Sequence, residues 1–330
     1  VNVTLDNFGN GLPGATLVPG IFHINDIVTR NNGGVTEIYA AVAMAVYRES
    51  LTEFLGGGEF GLYKSTNGGA TWSKVTLPNT TTGSLFEPND IEISSNNTIW
   101  VSTTDGLLSF ANGGGTIFSS TDGNTFMEKF VVPNGSRTEI EISATNPDKL
   151  YVLARANPIT IIKTEDGFDT TLTMNLPDDA DNGIDADDFT RGQSYYDLML
   201  EADPSNDNIV YVGGIDTFRS ADGGITWVQI SKWSNNPGLG GLSVPFVHAD
   251  IHDMTFDPSN PDKAMIATDG GVFYANSLLS AYSSPSAIVC MGNDYNTSQF
   301  YWGSIGQSIS NYQFLAGSQY NGSNFIYKDY

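Results

Sequence analysis

Ser220-Ala221-Asp222-Gly223-Gly224-Ile225-Thr226-Trp227 is a turn that this chain uses more than once. It occurs earlier as Ser65-Thr66-Asn67-Gly68-Gly69-Ala70-Thr71-Trp72, and one residue shorter as Ser120-Thr121-Asp122-Gly123-Asn124-Thr125-Phe126. A decayed copy reads Thr164-Glu165-Asp166-Gly167. The copies start roughly 45–55 residues apart, about the length of one unit in a radially repeated β-protein. The chemistry of the turn is local. An Asp or Asn oxygen accepts backbone N–H groups within the turn, glycine supplies positive φ, and the closing Trp or Phe is free to pack between units. Alternating residues precede the turn at Phe60-Gly61-Leu62-Tyr63-Lys64, and a second run follows it at Trp227-Val228-Gln229-Ile230. The turn therefore reads as a hairpin between the two outer strands of a unit.

The inner strands repeat as well. Each starts with an acid and then alternates: Asp26-Ile27-Val28, Asp90-Ile91-Glu92-Ile93, Glu139-Ile140-Glu141-Ile142, Asp197-Leu198-Met199-Leu200 and Asp253-Met254-Thr255-Phe256. Apolar second strands follow, such as Leu150-Tyr151-Val152 and Ile209-Val210-Tyr211-Val212, after turn signals such as Asp203-Pro204-Ser205-Asn206. The reading is all-β: a β-propeller of four-stranded antiparallel blades, about six or more. Residues 1–20 are read as an N-terminal strand or linker and 21–330 as the propeller. Blades are expected near 21–78, 85–133, 137–177, 193–232 and 250–288, with an incomplete one at 297–330. The opening at Val1 and the unfinished last blade lead to the expectation of a processed segment of a longer chain.

Composition narrows the function. Acidic residues outnumber basic ones 37 to 14, for a net charge of −23, so a phosphate backbone is repelled and nucleic acid is not expected as a partner. No apolar run is long enough for a membrane-spanning helix, so no membrane insertion is expected. Cys290 stands alone, which excludes an intrachain disulfide and any zinc site built on several thiolates.

The repeated turn resembles the Asp-box, or BNR, repeat with its Ser-x-Asp-x-Gly-x-Thr-Trp pattern. In that family the box is structural, which implies scaffold roles for Ser65, Asn67, Gly69, Trp72, Asp122, Asp166, Ser220, Asp222, Gly224 and Trp227. From Gly192 onward a longer pattern includes Tyr211-Val212-Gly213-Gly214-Ile215-Asp216, Val247-His248-Ala249-Asp250-Ile251-His252, Thr268-Asp269-Gly270-Gly271 and Gly317-Ser318-Gln319-Tyr320-Asn321-Gly322. It resembles the large secreted propellers of Bacteroidota exported by type IX secretion, with sortilin-like and xyloglucanase-like propellers nearest in style. The resemblance implies a secreted or cell-surface location and no particular reaction. None of the six arginines is followed by the Ile-Pro that sialidases carry, and the Arg-Thr-Asp-x-Gly-Gly signature of xyloglucanases is missing. No phosphate-binding glycine loop or catalytic Ser or Cys motif is found.

Four candidate sites remain, one of them an aromatic set, Trp233, Tyr195, Tyr196, Tyr295, Tyr301, Trp302 and Tyr320, read as a sugar-stacking face against the competing reading of inter-blade core. Asp26, Asp90, Glu139, Asp197 and Asp253, one per inner strand, are read as a ring around a central channel that attracts cations or polar ligands; the competing reading is that each caps backbone N–H groups. His248, Asp250 and His252 share one face if the stretch is extended, giving two imidazoles and a carboxylate for a divalent metal or a hydrogen-bonded anchor. Asp178, Asp179, Asp181 and Asp185 form an acidic loop suited to calcium in composition, although its spacing fails the EF-hand pattern. No cofactor is required on this reading, with calcium or another divalent metal as an optional ligand. The expected function is an extracellular or surface module that binds a glycan or protein and partners other domains of a longer chain. The alternatives are a glycoside hydrolase using paired carboxylates and a metal-stabilised, receptor-like propeller.

Overall fold

A computed structural model describes residues 23–43, 60–78, 80, 83, 85–106 and 113–292 with their side chains. Strands at Thr16–Val18, Ala45–Val46, Glu53–Leu55, Phe300–Ile305, Gln313–Ser318 and Ser323–Tyr327 are described by backbone pairing alone. Five four-stranded antiparallel sheets follow one another along the chain, fewer than the six or more expected, each in simple sequential strand order. Their innermost strands are His23–Asn32, Glu87–Ile93, Thr138–Ile142, Met199–Ala202 and Ile251–Asp257, and we number the blades 1 to 5 from these. The second strands are Val35–Ala43, Ile99–Thr104, Leu150–Ala154, Val210–Gly213 and Asn260–Thr268. This is a β-propeller architecture. Among the described residues the only helix is the 3-10 turn Leu239–Gly241. Phe300–Ile305, Gln313–Ser318 and Ser323–Tyr327 form a separate three-stranded sheet, and Thr16–Val18 pairs in parallel with Glu53–Leu55.

Middle strands read as continuous apolar runs because they are covered on both faces by neighbouring blades. Every residue of Leu150–Ala154 is buried, whereas outer strands such as Met127–Val131 are largely exposed. The core accordingly lies in the seams. One cluster joins Tyr39 and Leu62 of blade 1 to Ile91, Val101 and Phe118 of blade 2. A second joins Trp100 and Ile117 to Ile140 and Val152. A third joins Tyr151 and Ile161 to Leu200 and Phe218, and a fourth joins Met199 and Tyr211 to Met254 and Ile266. The outer flanks are different. Ile27 of blade 1 is 52% exposed, while its register equivalents Ile91, Ile140, Leu200 and Met254 are at most 6% exposed.

The hairpin turns share one set of bonds. Ser220 Oγ donates to Asp222 Oδ1 at 2.8 Å, and Gly224 N–H donates to Ser220 Oγ at 2.8 Å. Asp222 Oδ1 also accepts Thr226 N–H at 2.8 Å. Asn67 accepts Thr71 N–H, Asp122 accepts Thr125 N–H and Asp166 accepts Thr170 N–H in the same way, at 2.7–2.9 Å. The turn carboxylates lie at the surface and are held in the charged form by these donors, Asp222 down to about 2 through Thr226. Trp72 and Trp227 are only half-buried; their indole N–H groups donate to Gly69 O and Asn175 O.

Polar contacts fix the seams. Between blades 1 and 2, buried Glu37 binds Lys64 at 2.8 Å and Arg30 at 3.4 Å and accepts Tyr39 Oη at 2.8 Å. Arg30 then donates to Thr121 O, Lys64 to Gly123 O, and Tyr39 Oη lies 3.3 Å from Gly123 O. Gly123 has φ +71°, and a Cβ there would lie 2.0 Å from Tyr39 Oη, so only glycine fits. Between blades 3 and 4, Lys149 binds Asp207 at 2.9 Å and Tyr151 Oη donates to Asp207 O at 2.9 Å. Replacing Glu37 by Ala strands two buried cations. We expect a loss of about 3–5 kcal/mol in urea unfolding, against a change within about 0.5 kcal/mol for an exposed control such as Glu128→Ala.

Candidate functional site

Each innermost strand has an edge with no fifth strand to satisfy it, and for blades 2, 3 and 4 side chains of the preceding blade supply partners. Asn25 Nδ2 donates to Pro88 O at 3.2 Å while Asp26 Oδ2 accepts Ile91 N–H at 2.9 Å. One blade on, Asn89 Nδ2 donates to Thr138 O at 2.8 Å and Asp90 Oδ2 accepts Ile140 N–H at 2.7 Å. From blade 3 to blade 4, Arg137 takes the donor role, with Nη1 2.7 Å from Tyr196 O and Nη2 3.3 Å from Leu198 O. Glu141 accepts Ala202 N–H at 3.3 Å. The Asn-Asp pairs are thus two-point clasps on the neighbouring strand, and Asp26 also caps its own strand, its Oδ1 accepting Ile27 N–H at 2.7 Å.

The same residues wall a central cavity of about 660 Å³. Register places Asp26, Asp90, Glu139, Met199 and Asp253 at one equivalent position, each just before the residue paired with Ala40, Val101, Val152, Val212 and Ile266 in turn. Four of the five acids expected from the sequence line the cavity. Asp197 does not belong to that set. It lies two residues before the equivalent position, which Met199 fills. Asp197 is fully buried with both carboxylate oxygens unpartnered, and burial, with Asp250 nearby, pushes it up to about 8. Glu92, Glu141 and Glu201 make a second tier two residues further along, and all three line the cavity. They were missed as site residues. The available signal was the acid-x-acid alternation of Asp90-Ile91-Glu92 and Glu139-Ile140-Glu141, since residues two apart in a strand face one way.

Crowding these acids shifts their titration. Burial, then repulsion from Glu139, Glu92 and Asp26, holds Asp90 well above the carboxylate range. Burial and Asp26 push Glu92 to about 8. Glu141 and Glu201 are pushed up by burial and by each other's neighbours, Glu92 and Asp253. Arg137 binds Glu139 at 2.7 Å and is the one guanidinium among the described residues lining the cavity. Carboxyls raised in this way hold their protons to higher pH than an ordinary carboxylate, and a protonated carboxyl donates as well as accepts.

The rim is aromatic. Tyr195 and Tyr196 line the cavity and are 58% and 42% exposed. Arg155 lies over the Tyr195 ring at 5.6 Å. Tyr196 Oη donates to Asp269 at 2.8 Å, His252 Nε2 is 2.5 Å from the same carboxylate, and the Tyr196 and His252 rings meet edge-on at 4.9 Å. His248 turns elsewhere, with Nδ1 3.0 Å from Ala249 O and its ring against Gly270. The shared face expected for His248, Asp250 and His252 fails because Asp250 has φ +65° and a bulge follows at Ile251/Asp253, breaking the period of two. Among the described residues no group of three or more such side chains is arranged to hold a metal ion. In the acidic loop, Asp179 and Asp181 are buried and engaged by Arg191 at 2.8 Å each, so a guanidinium neutralises them. Asp178 and Asp185 take no part in that ion pair.

Comparison with solved structures places this architecture among known propellers. The chain is similar to the Niastella koreensis GH74 enzyme (TM-score 0.53, 18% identity, 90% of this chain and 41% of that one). It is also similar to the GH74 xyloglucanase of Xanthomonas campestris (0.54, 13%, 87% and 41%). A third similar structure is PorZ, a surface component of the type IX secretion system of Porphyromonas gingivalis (0.50, 14%, 93% and 39%). The likeness is one of fold, and the chain spans about two-fifths of the length of each. No family model matches the chain, and no curated protein matches it in sequence. No helix among the described residues is long and apolar enough to cross a membrane.

The raised carboxyls predict the sign of the pH dependence. A group whose folded pKa exceeds its unfolded value contributes stability that is complete below the unfolded pKa and lost as pH rises through the folded one. Melting temperature should therefore fall between about pH 4.5 and pH 8. Glu92→Gln should recover on the order of 1–2 kcal/mol at pH 8, reduced by solvent in the funnel, and nothing at pH 4.5. A flat profile in the unmodified protein, measured by calorimetry, would count against the two-tier arrangement.

Proposed function

We propose that this propeller is an extracellular binding module of the Asp-box kind, within a longer secreted or surface bacterial protein, and that it takes a glycan or protein ligand at the funnel mouth. The observation that carries the reading is the juxtaposition of two exposed tyrosines with a cavity of about 660 Å³ lined by carboxyl groups. Apolar ring faces beside convergent polar groups are the usual composition of a ligand pocket. The four turns with their shared hydroxyl–carboxylate–amide bonds support the Asp-box assignment. Similarity in fold to PorZ and to GH74 enzymes supports the extracellular setting.

One observation favours a second reading. Asp90, raised well above the carboxylate range by burial, shares the funnel with Glu139, whose partner is Arg137. Two carboxyl groups in one cavity are the minimum for glycoside hydrolysis. The two readings separate experimentally. A glycan array followed by titration calorimetry should find a ligand whose affinity drops about tenfold or more, roughly 1.4 kcal/mol, in Tyr196→Ala at unchanged melting temperature. Asp90→Asn should leave that binding within a few-fold. Turnover of the bound glycan that disappears in both Asp90→Asn and Glu139→Gln would replace the binding reading with the hydrolase. Binding unaffected by Tyr196→Ala would move the site away from the mouth.

A further inference from the structure

The funnel holds carboxyls that the fold does not use. Register makes Val28, Glu92, Glu141, Glu201 and Thr255 equivalent, paired with Tyr39, Trp100, Tyr151, Tyr211 and Met265 in turn. Blades 1 and 5 fill this place with Val and Thr, so glutamate on three consecutive blades is not a requirement of the repeat. Two residues along a strand span about 7 Å, and this tier lies roughly that far beyond the first. In the first tier Asp26 and Asp90 are engaged in the clasps and Glu139 with Arg137. In the second, Glu141 accepts Ala202 N–H, and Glu92 reaches only the amide of Ile93. Glu201 and Asp253 line the cavity, and neither side chain has a hydrogen bond or ion pair within the described residues. Burial, then the charges of Asp253 and Glu92, raises the titration of Glu201. Nothing on the lining offsets these acids. Among the described residues it has no lysine, and Arg137 is held by Glu139 and by the carbonyls of Tyr196 and Leu198. Of its two histidines, His252 is bound to Asp269 and His23 is exposed.

We propose that the ligand of this funnel is a protein, and that it inserts a basic side chain, lysine or arginine, past the rim tyrosines to Glu201, Glu92 and Asp253. The inference rests on the funnel mouth being the binding site and names what enters there. Like charges gathered in one cavity disfavour ionisation until a counter-charge arrives. An ammonium with three donors, or a guanidinium with five, satisfies several carboxylates at once. A metal ion fits less well, because no group of three or more described side chains is arranged to hold one. The same carboxyls repel an anionic partner. Depth favours a side chain over an amino sugar. A sugar carries its amine on the ring, whereas lysine carries its charge at the end of a thin, flexible four-carbon stem that passes the first tier. The rim suits a cation as well: an aromatic face attracts one, and Tyr195 already carries Arg155 at 5.6 Å.

Titration calorimetry with acetyl-Gly-Lys-Gly-amide, its arginine and norleucine versions, and glucosamine tests the proposal. At least one basic peptide should bind saturably, and the norleucine peptide, with the same stem and no charge, at least tenfold more weakly. The double variant Glu92→Gln/Glu201→Gln should weaken the basic peptide at least tenfold, with a melting temperature equal to or above that of the unmodified protein. A cation also draws protons off the raised carboxyls, so the binding enthalpy near pH 7 should change with the ionisation heat of the buffer. No saturable binding of either basic peptide up to its solubility limit overturns the proposal. So does equal affinity for the norleucine peptide, binding unchanged in the double variant, or glucosamine binding through Glu201 when neither basic peptide binds. Tyr196→Ala separates this inference from the reading beneath it. A basic peptide that depends on Glu201 and ignores Tyr196→Ala leaves the cation site standing and moves the entrance. A glycan that depends on Tyr196 and is not displaced by the basic peptides keeps the entrance and overturns the cation.

Discussion

An innermost propeller strand has one edge paired to its own sheet and one edge open, and open N–H and C=O groups must find partners. Here the answer is side chains from the preceding blade. Asn25-Asp26 grips the backbone at Pro88 and Ile91, and Asn89-Asp90 grips it at Thr138 and Ile140. Arg137 and Glu141 continue the device onto blade 4 with a different donor. These clasps tie consecutive inner strands to one another, and the apolar seam cores pack the strands behind them.

The same device creates the chemistry of the centre. Joining strands through carboxylates brings acids from successive blades to one axis, and the second tier of Glu92, Glu141 and Glu201 follows from strand periodicity. Such groups cannot all ionise side by side, so they retain protons well above their usual range. Fold and function draw on one set of residues: the carboxyls that join the blades also line the cavity beneath Tyr195 and Tyr196. The rim tyrosines are held from below, Tyr196 by Asp269 and its carbonyl by Arg137.

Much of this was legible in the sequence, because repetition turns a weak local signal into a strong one. The hairpin turns, the acid at the start of each inner strand and the apolar middle strands all follow from short-range rules. What failed was anything that depended on register. Asp197 begins its motif as Asp90 does, yet pairing shifts the strand so that Met199 faces the centre. The His248-Asp250-His252 alternation assumed an extended chain that the positive φ of Asp250 interrupts. The acidic loop looked like a cation site because Arg191, its partner, follows the aspartates in sequence by up to 12 residues and gives no local cue.

The carboxylate clasp is tested most directly by amide hydrogen exchange at Ile140, read residue by residue in the unmodified protein and in Asp90→Ala under native conditions. Asp90 is the side-chain acceptor of that amide, so the account predicts that Ile140 N–H loses protection in the variant while Ile162, deep in the same sheet, keeps its own. Unchanged protection at Ile140 would contradict it, since the edge amide would then be satisfied without the acid of the preceding blade.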